Sequence, residues 1–168
     1  MGEIDLALVE IDHYSFICPR NTRYAEFDHG SQGKTIHIFS VVGDLEYKYS
    51  ITPAREEGSP EILANSDYTL NAPLSLPSWC IPPHALEGGK TPGSVCEYGL
   101  MEGKCLRIMK TFFQIGQEVV CLTFAMQLEE YEAGSKLFHL VNKTFTFIER
   151  EEAIAPAEKN ENVNEDIR

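Results

Sequence analysis

The run KTIHIFSVVGDLEYKYSI, residues 34–51, constrains the fold more than any other stretch of the chain. Leu45, Tyr47, Tyr49 and Ile51 alternate with Glu46, Lys48 and Ser50. A period of two puts successive side chains on opposite sides of an extended backbone, whereas a helix would scatter those four apolar residues around its circumference. Gly43-Asp44 stands before the alternation, and a two-residue hairpin turn needs such a pair, with Gly supplying the positive φ. The residues ahead of the turn are rich in β-branched and aromatic types. The segment reads as a β-hairpin.

A second β region runs from about Ser94 to Gln127, with strands expected near 94–100, 103–114 and 118–127. Turns fall at Glu102-Gly103 and Ile115-Gly116-Gln117. Val120, Leu122, Phe124 and Met126 form an apolar face of the last strand, and Val119, Cys121, Thr123 and Ala125 a more mixed one. In the middle strand Leu106, Ile108 and Phe112 oppose Cys105, Arg107, Met109 and Thr111. A three-stranded antiparallel meander follows. Early strands are expected over 5–11 and 13–18, and TFTFI, residues 144–148, closes the sheet.

Helices are few. Ser59-Pro60-Glu61 offers a hydroxyl cap, a proline at the first helical position and an acid near the positive end of the dipole, so a short helix is expected to about Asn65. A stronger helix begins at Ser135, where Leu137, Phe138, Leu140 and Val141 make an apolar stripe. Between them, residues 71–93 carry prolines at 73, 77, 82, 83 and 92, too many missing donors for a helix or a central strand. That stretch reads as an ordered loop anchored by Leu74, Leu76, Trp79 and Ile81. The expected class is α+β: about six antiparallel strands packed against a few helices, in one domain over 1–150.

Charge narrows the partners. The formal net charge is −12, which repels phosphate backbones and anionic lipid, so neither nucleic acid nor a membrane is expected. Residues 149–168 hold seven acidic groups against three basic ones; residues 151–168 read as a disordered acidic tail. The N-terminus lacks the basic start of a secretory signal, and no run of about eighteen apolar residues is present. Cys18, Cys80, Cys96, Cys105 and Cys121 are odd in number and include no CxxC pair. Reduced thiols and a cytoplasmic location are expected.

Three chemical motifs fail on their context. EGGKTPG, residues 87–93, resembles the end of a phosphate loop, but His84 occupies the place of its first glycine and WCIPP precedes it instead of a strand. Cys80 and His84 suggest a thiol–imidazole pair, yet the two prolines between them forbid helical presentation. The five histidines are scattered, without the close ligand spacing of structural zinc. No catalytic residue, metal or cofactor is expected.

The order of elements carries a resemblance. YSFICP, residues 14–19, is an aromatic-rich strand running into proline; a long meander ends in VCLTFAM, followed by the helix SKLFHLVNK and a final TFTF. This set resembles the PsbP/Mog-like superfamily, and within it the chaperones associated with bacterial type VI secretion effectors are nearest in kind. The resemblance implies a curved antiparallel sheet packed on helices, and a binding role without catalysis. It departs from the family in having a short helix and a proline-rich loop between the first hairpin and the meander.

Sequence and resemblance together point to a protein-binding module, an adaptor or chaperone for another bacterial protein with a basic or apolar segment. The mixed sheet face, near Arg107, Met109, Cys121 and Thr123, with Trp79 beside it, is the expected binding surface. Exposed strand edges make a homodimer an expectation too. Two alternatives stand: an immunity protein that neutralises a basic toxin, and an enzyme that uses Cys80.

Overall fold

In the computed structural model Gly43 takes φ +65° and turns the chain between two nine-residue strands, with Val42 opposite Leu45. Residues 4–54, 57–74, 79–102 and 104–149 are described; the expected acidic tail lies outside them. Ten strands run in chain order among these residues: β1 (Leu6–Ile11), β2 (Tyr14–Pro19), β3 (Arg23–Asp28), β4 (Lys34–Val42), β5 (Leu45–Pro53), β6 (Ile81–Ala85), β7 (Gly93–Glu102), β8 (Lys104–Ile115), β9 (Glu118–Gln127) and β10 (Thr146–Phe147). Two helices, α1 (Pro60–Asn71) and α2 (Tyr131–Thr144), complete the α+β fold. No helix among the described residues is long and apolar enough to cross a membrane.

The strands form two antiparallel sheets rather than one sheet of about six. Seven make a sheet in the order β3-β4-β5-β9-β8-β7-β6, and three make a smaller one, β1-β2-β10. The surplus over expectation comes from sheet edges. Every residue of β3 is exposed, so its sequence shows no alternation, and pairing with β4 alone defines it. β6 forms in spite of Pro82 and Pro83 because it needs only one ladder; it pairs with β7 through a bulge between Ile81 and His84.

α2 is built by close approach. Gly134, Leu137, Phe138, Val141 and Asn142 are its buried positions, spaced as one helical face. A β-carbon at Gly134 would overlap the Met126 thioether and come within 3.2 Å of the Tyr47 ring, so any larger residue would have to displace that side chain. It starts four residues before the expected Ser135, because a 3-10 turn at Leu128–Glu130 leads into it, with Glu130 Oε1 accepting from the Gln127 amide at 3.0 Å.

The main core lies between α2, β2 and one face of the large sheet. Phe16 and Cys18 from β2 meet Ile38, Tyr49, Leu122, Phe124 and Phe138 there, all buried. Phe145, just past α2, stacks on Phe113 at 4.1 Å between centroids with ring planes 7° apart. Its neighbours Phe16 and Tyr14 lie at 6.2 and 5.4 Å. This stack joins both sheets and the end of the helix.

α1 covers part of the other face, over β6, β7 and β8. The Ser59 hydroxyl accepts from the Ile62 amide, as expected of the cap. The helix outruns Asn65 because its second half has partners on the sheet: Asp67 takes the Tyr98 hydroxyl and the Lys110 ammonium, both at 2.7 Å. Leu63 and Ala64 pack on Phe112 and Val119.

Candidate binding cleft

β6 and β7 are joined by the glycine-rich loop that resembles a phosphate grip. Gly88 takes φ +74° to turn it. The Lys90 amide donates to the Lys143 carbonyl at 3.2 Å, and the buried Thr91 hydroxyl donates to the Phe145 carbonyl at 2.7 Å. The loop is thus tied to the C-terminal, carbonyl end of α2. A phosphate site needs the opposite pole, where free amides and positive partial charge gather. These glycines turn a corner.

That corner borders a cleft of about 500 Å³ between the β6 arm and α2. His84, Leu86 and Glu87 form one wall, His139, Asn142 and Lys143 the other, and Val95 and Glu97 of β7 the floor. Glu97 is 4 % exposed and Arg107 7 %. Glu97 Oε1 accepts from Arg107 Nη2 at 3.3 Å and from the Tyr131 hydroxyl at 3.1 Å, while the guanidinium lies 4.5 Å over the Tyr131 ring. Beside them the Thr111 hydroxyl donates to Asn142 Oδ1 at 2.6 Å. Arg107 Nε and Asn142 Nδ2 are buried without a partner among the described residues. Most buried polar atoms are paired, so two orphans next to one cleft mark it out. Chemically, the cleft offers a buried ion pair at its floor, the Glu87 carboxylate on one wall, a neutral amide and an apolar strip from Val95 and Leu86. These are means of holding a ligand.

The residues expected to form one binding face do not share one. Arg107 pairs in register with Met126 and Met109 with Phe124, so both side chains point toward the α2 core, and Met109 is fully buried. Cys121 lies opposite Phe112 and Thr123 opposite Lys110, on the α1 side, both half-buried. Pairing Arg107 and Met109 with Cys121 and Thr123 crossed the sheet. α1 covers part of that second face. Trp79 packs over Gly99 of β7, where a β-carbon would overlap the ring at Cε3 and come within 2.8 Å of Cζ3. Gly99→Ala is therefore expected to lift the chain's single tryptophan off the sheet, shifting its fluorescence to the red and costing about 1–3 kcal/mol by overpacking. Unchanged emission would show that Trp79 does not rest there.

Cys80 lies beside Tyr68 and Tyr98, and its sulfur is 3.8 Å from the Ala72 carbonyl. His84 directs Nδ1 to the Ala85 carbonyl at 3.2 Å. Burial pushes the Cys96 thiol up to about 12 and raises Cys18 and Cys121 as well, keeping all three protonated and inert near neutrality. No three His, Cys, Asp or Glu side chains among the described residues group as metal ligands.

Sequence reasoning missed Glu97, Tyr131 and Asn142, met His84 and Glu87 only in motifs that failed, and placed His139 on the last helix without a role. One signal was available. Asn142 follows Leu137, Phe138 and Val141 on the inward side of a helix, where a polar side chain demands a reason.

No protein-family model and no curated protein matches the chain. Solved structures do. The cyanobacterial PsbP (CyanoP) of Synechocystis sp. PCC 6803 superposes with a TM-score of 0.60 at 12 % identity, over 87 % of this chain and 94 % of that one. LpqN, involved in cell envelope biogenesis of Mycobacterium tuberculosis, gives 0.54 at 10 % identity, over 88 % and 93 %. A protein from Bacteroides thetaiotaomicron gives 0.52 at 13 % identity, over 83 % of this chain and 47 % of that one. The fold is PsbP-like. At these identities the likeness extends to the fold alone.

Proposed function

We propose that this protein is a non-catalytic binding module, an adaptor or chaperone that holds an extended segment of a partner protein in the cleft beside α2. The cleft carries this reading. Its walls belong to a strand arm and a helix, with charged side chains on both sides of the opening and apolar ones in the arm and floor. Val95 and Leu86 would receive an apolar side chain, and Glu87 on the wall would attract a cation. The net charge of −12 favours a basic segment over an acidic one. The PsbP-like fold is compatible with this role. A bacterial effector as partner, as in type VI secretion, and a cytoplasmic location belong to the same proposal.

The test is site-resolved. A photo-crosslinking amino acid at His139, inside the cleft, should capture one partner in the native host, and the same group at Thr69 on the outer side of α1 should not. Glu87→Lys should weaken capture at position 139 about tenfold, an ordinary loss when a like charge replaces an attractive one. Equal capture from both positions, or capture indifferent to Glu87→Lys, would rule the cleft out. A salt dependence steep enough to abolish binding would favour the immunity-protein alternative, in which charge dominates.

A further inference from the structure

Sheet edges are hazards, since their unpaired amides and carbonyls invite another strand. Three of the four described edges in this fold are blunted. β6 carries two prolines and a bulge. β3 carries Arg23, Glu26 and Asp28, with Arg23 bound to Glu46 at 2.8 Å and Glu26 to Lys34 at 3.1 Å. β10 is only two residues long. β1 has no proline and no bulge, and its one charged residue, Glu10, stands near its end. Its sequence is LALVEI; Leu6 is 44 % and Leu8 64 % exposed, and Ile4 just before it is 50 % exposed. Among the described residues it pairs with β2 alone.

The backbone of β1 is aimed for pairing. The Arg20 amide donates to the Asp5 carbonyl at 2.8 Å, so residues 5, 7, 9 and 11 direct their backbone groups toward β2. Leu6 and Leu8 then direct theirs outward. The opposite strand agrees: Ile17, the partner of Leu8, sends its amide away from β1, to the Thr144 hydroxyl at 2.8 Å.

We propose that β1 is the interface of a two-fold symmetric dimer, in which β1 of a second copy adds antiparallel to this edge about an axis at Ala7. The segment is complementary to itself in that register. Leu6 faces Leu8 of the second copy and Leu8 faces Leu6, with outward backbone groups matched on both sides. Asp5 falls opposite Val9 and Glu10 opposite Ile4, so no acid meets an acid. The two small sheets become one six-stranded sheet, and four leucines that stand in water pack across its centre. Each copy carries −12, so the bodies repel at long range, and association strengthens as salt screens them.

Sedimentation velocity on the full chain across protein concentration should show a reversible monomer–dimer equilibrium that shifts to dimer between low salt and about 0.5 M. The double variant L6K/L8K places lysine opposite lysine at both pairs and should weaken the dimer at least about tenfold, with unchanged circular dichroism because both leucines are surface residues. In a Cys18→Ala background, since Cys18 stands opposite residue 7 on β2, Ala7→Cys should form a disulfide-linked dimer under mild oxidation, residue 7 meeting its own copy at the axis, whereas Val9→Cys should not. A chain that stays monomeric at every concentration, a dimer indifferent to L6K/L8K, or equal cross-linking at 7 and 9 overturns the proposal. A monomer whose β1 edge is taken by residues 150–168 or by a foreign strand counts against it in the same way.

Discussion

Phe145→Ala is expected to lower stability by about 3–5 kcal/mol, the range for deleting a fully buried phenylalanine, and to lower Tm by roughly 8–15 °C in a chain of this size. The side chain is completely buried, and its ring stacks on Phe113 and Phe16 and leans on Tyr14. These partners come from β8 and β2, so the cavity would open where the two sheets and the end of α2 meet. The Thr91 hydroxyl bonds to the Phe145 carbonyl, and a shift there would also slacken the loop that borders the cleft. Denaturant titration gives the measurement. Phe145→Leu, which retains much of the volume, should lose clearly less. A loss below about 1 kcal/mol for the alanine variant would mean that the stack contributes little beyond its contacts with water-accessible neighbours.

Glu97→Ala should be nearly as damaging, at about 3–5 kcal/mol, because it leaves a buried guanidinium without a counter-charge. The arithmetic is asymmetric. Glu97 and Arg107 side chains are 5 % and 8 % exposed, and Arg107 Nε lacks a partner already. The Tyr131 hydroxyl would lose its acceptor as well. Removing both charges together, as Glu97→Leu with Arg107→Met, should recover most of the loss, since a well-packed apolar pair replaces a desolvated ionic one. Additive losses in the double variant, measured as a cycle, would show that the two residues act independently. The pair also sets the polarity of the cleft floor, so the double variant should fold and yet fail to capture a partner at position 139.

Much of the sheet was legible because strands advertise themselves by alternation. Tyr47, Tyr49 and Ile51 are buried as their period required, and the meander strands lie within about three residues of their expected ends. The strands that escaped notice, β3 and β6, are edges. One is exposed on both sides and the other is interrupted by proline, so neither needs the pattern that betrays a half-buried strand. Helix lengths were misjudged for a related reason. Asp67 holds α1 through Tyr98 and Lys110, residues 31 and 43 positions away, and no local propensity encodes such a contact.

The binding surface shows the same division more sharply. Each strand's two faces followed from its own sequence, and those assignments stand: Arg107 and Met109 share one side of β8, and Cys121 and Thr123 one side of β9. Which side of β8 joins which side of β9 depends on register, where a single step exchanges every pairing. The amino-acid pattern alone therefore established the hairpin, the meander, the cap of α1 and the anionic character of the chain. Tertiary structure alone decided that Glu97, Arg107, Tyr131 and Asn142 meet beneath a cleft, and that β1 is an apolar edge. Period and charge are properties of neighbouring residues, whereas the cleft and the edge depend on where distant segments come to rest.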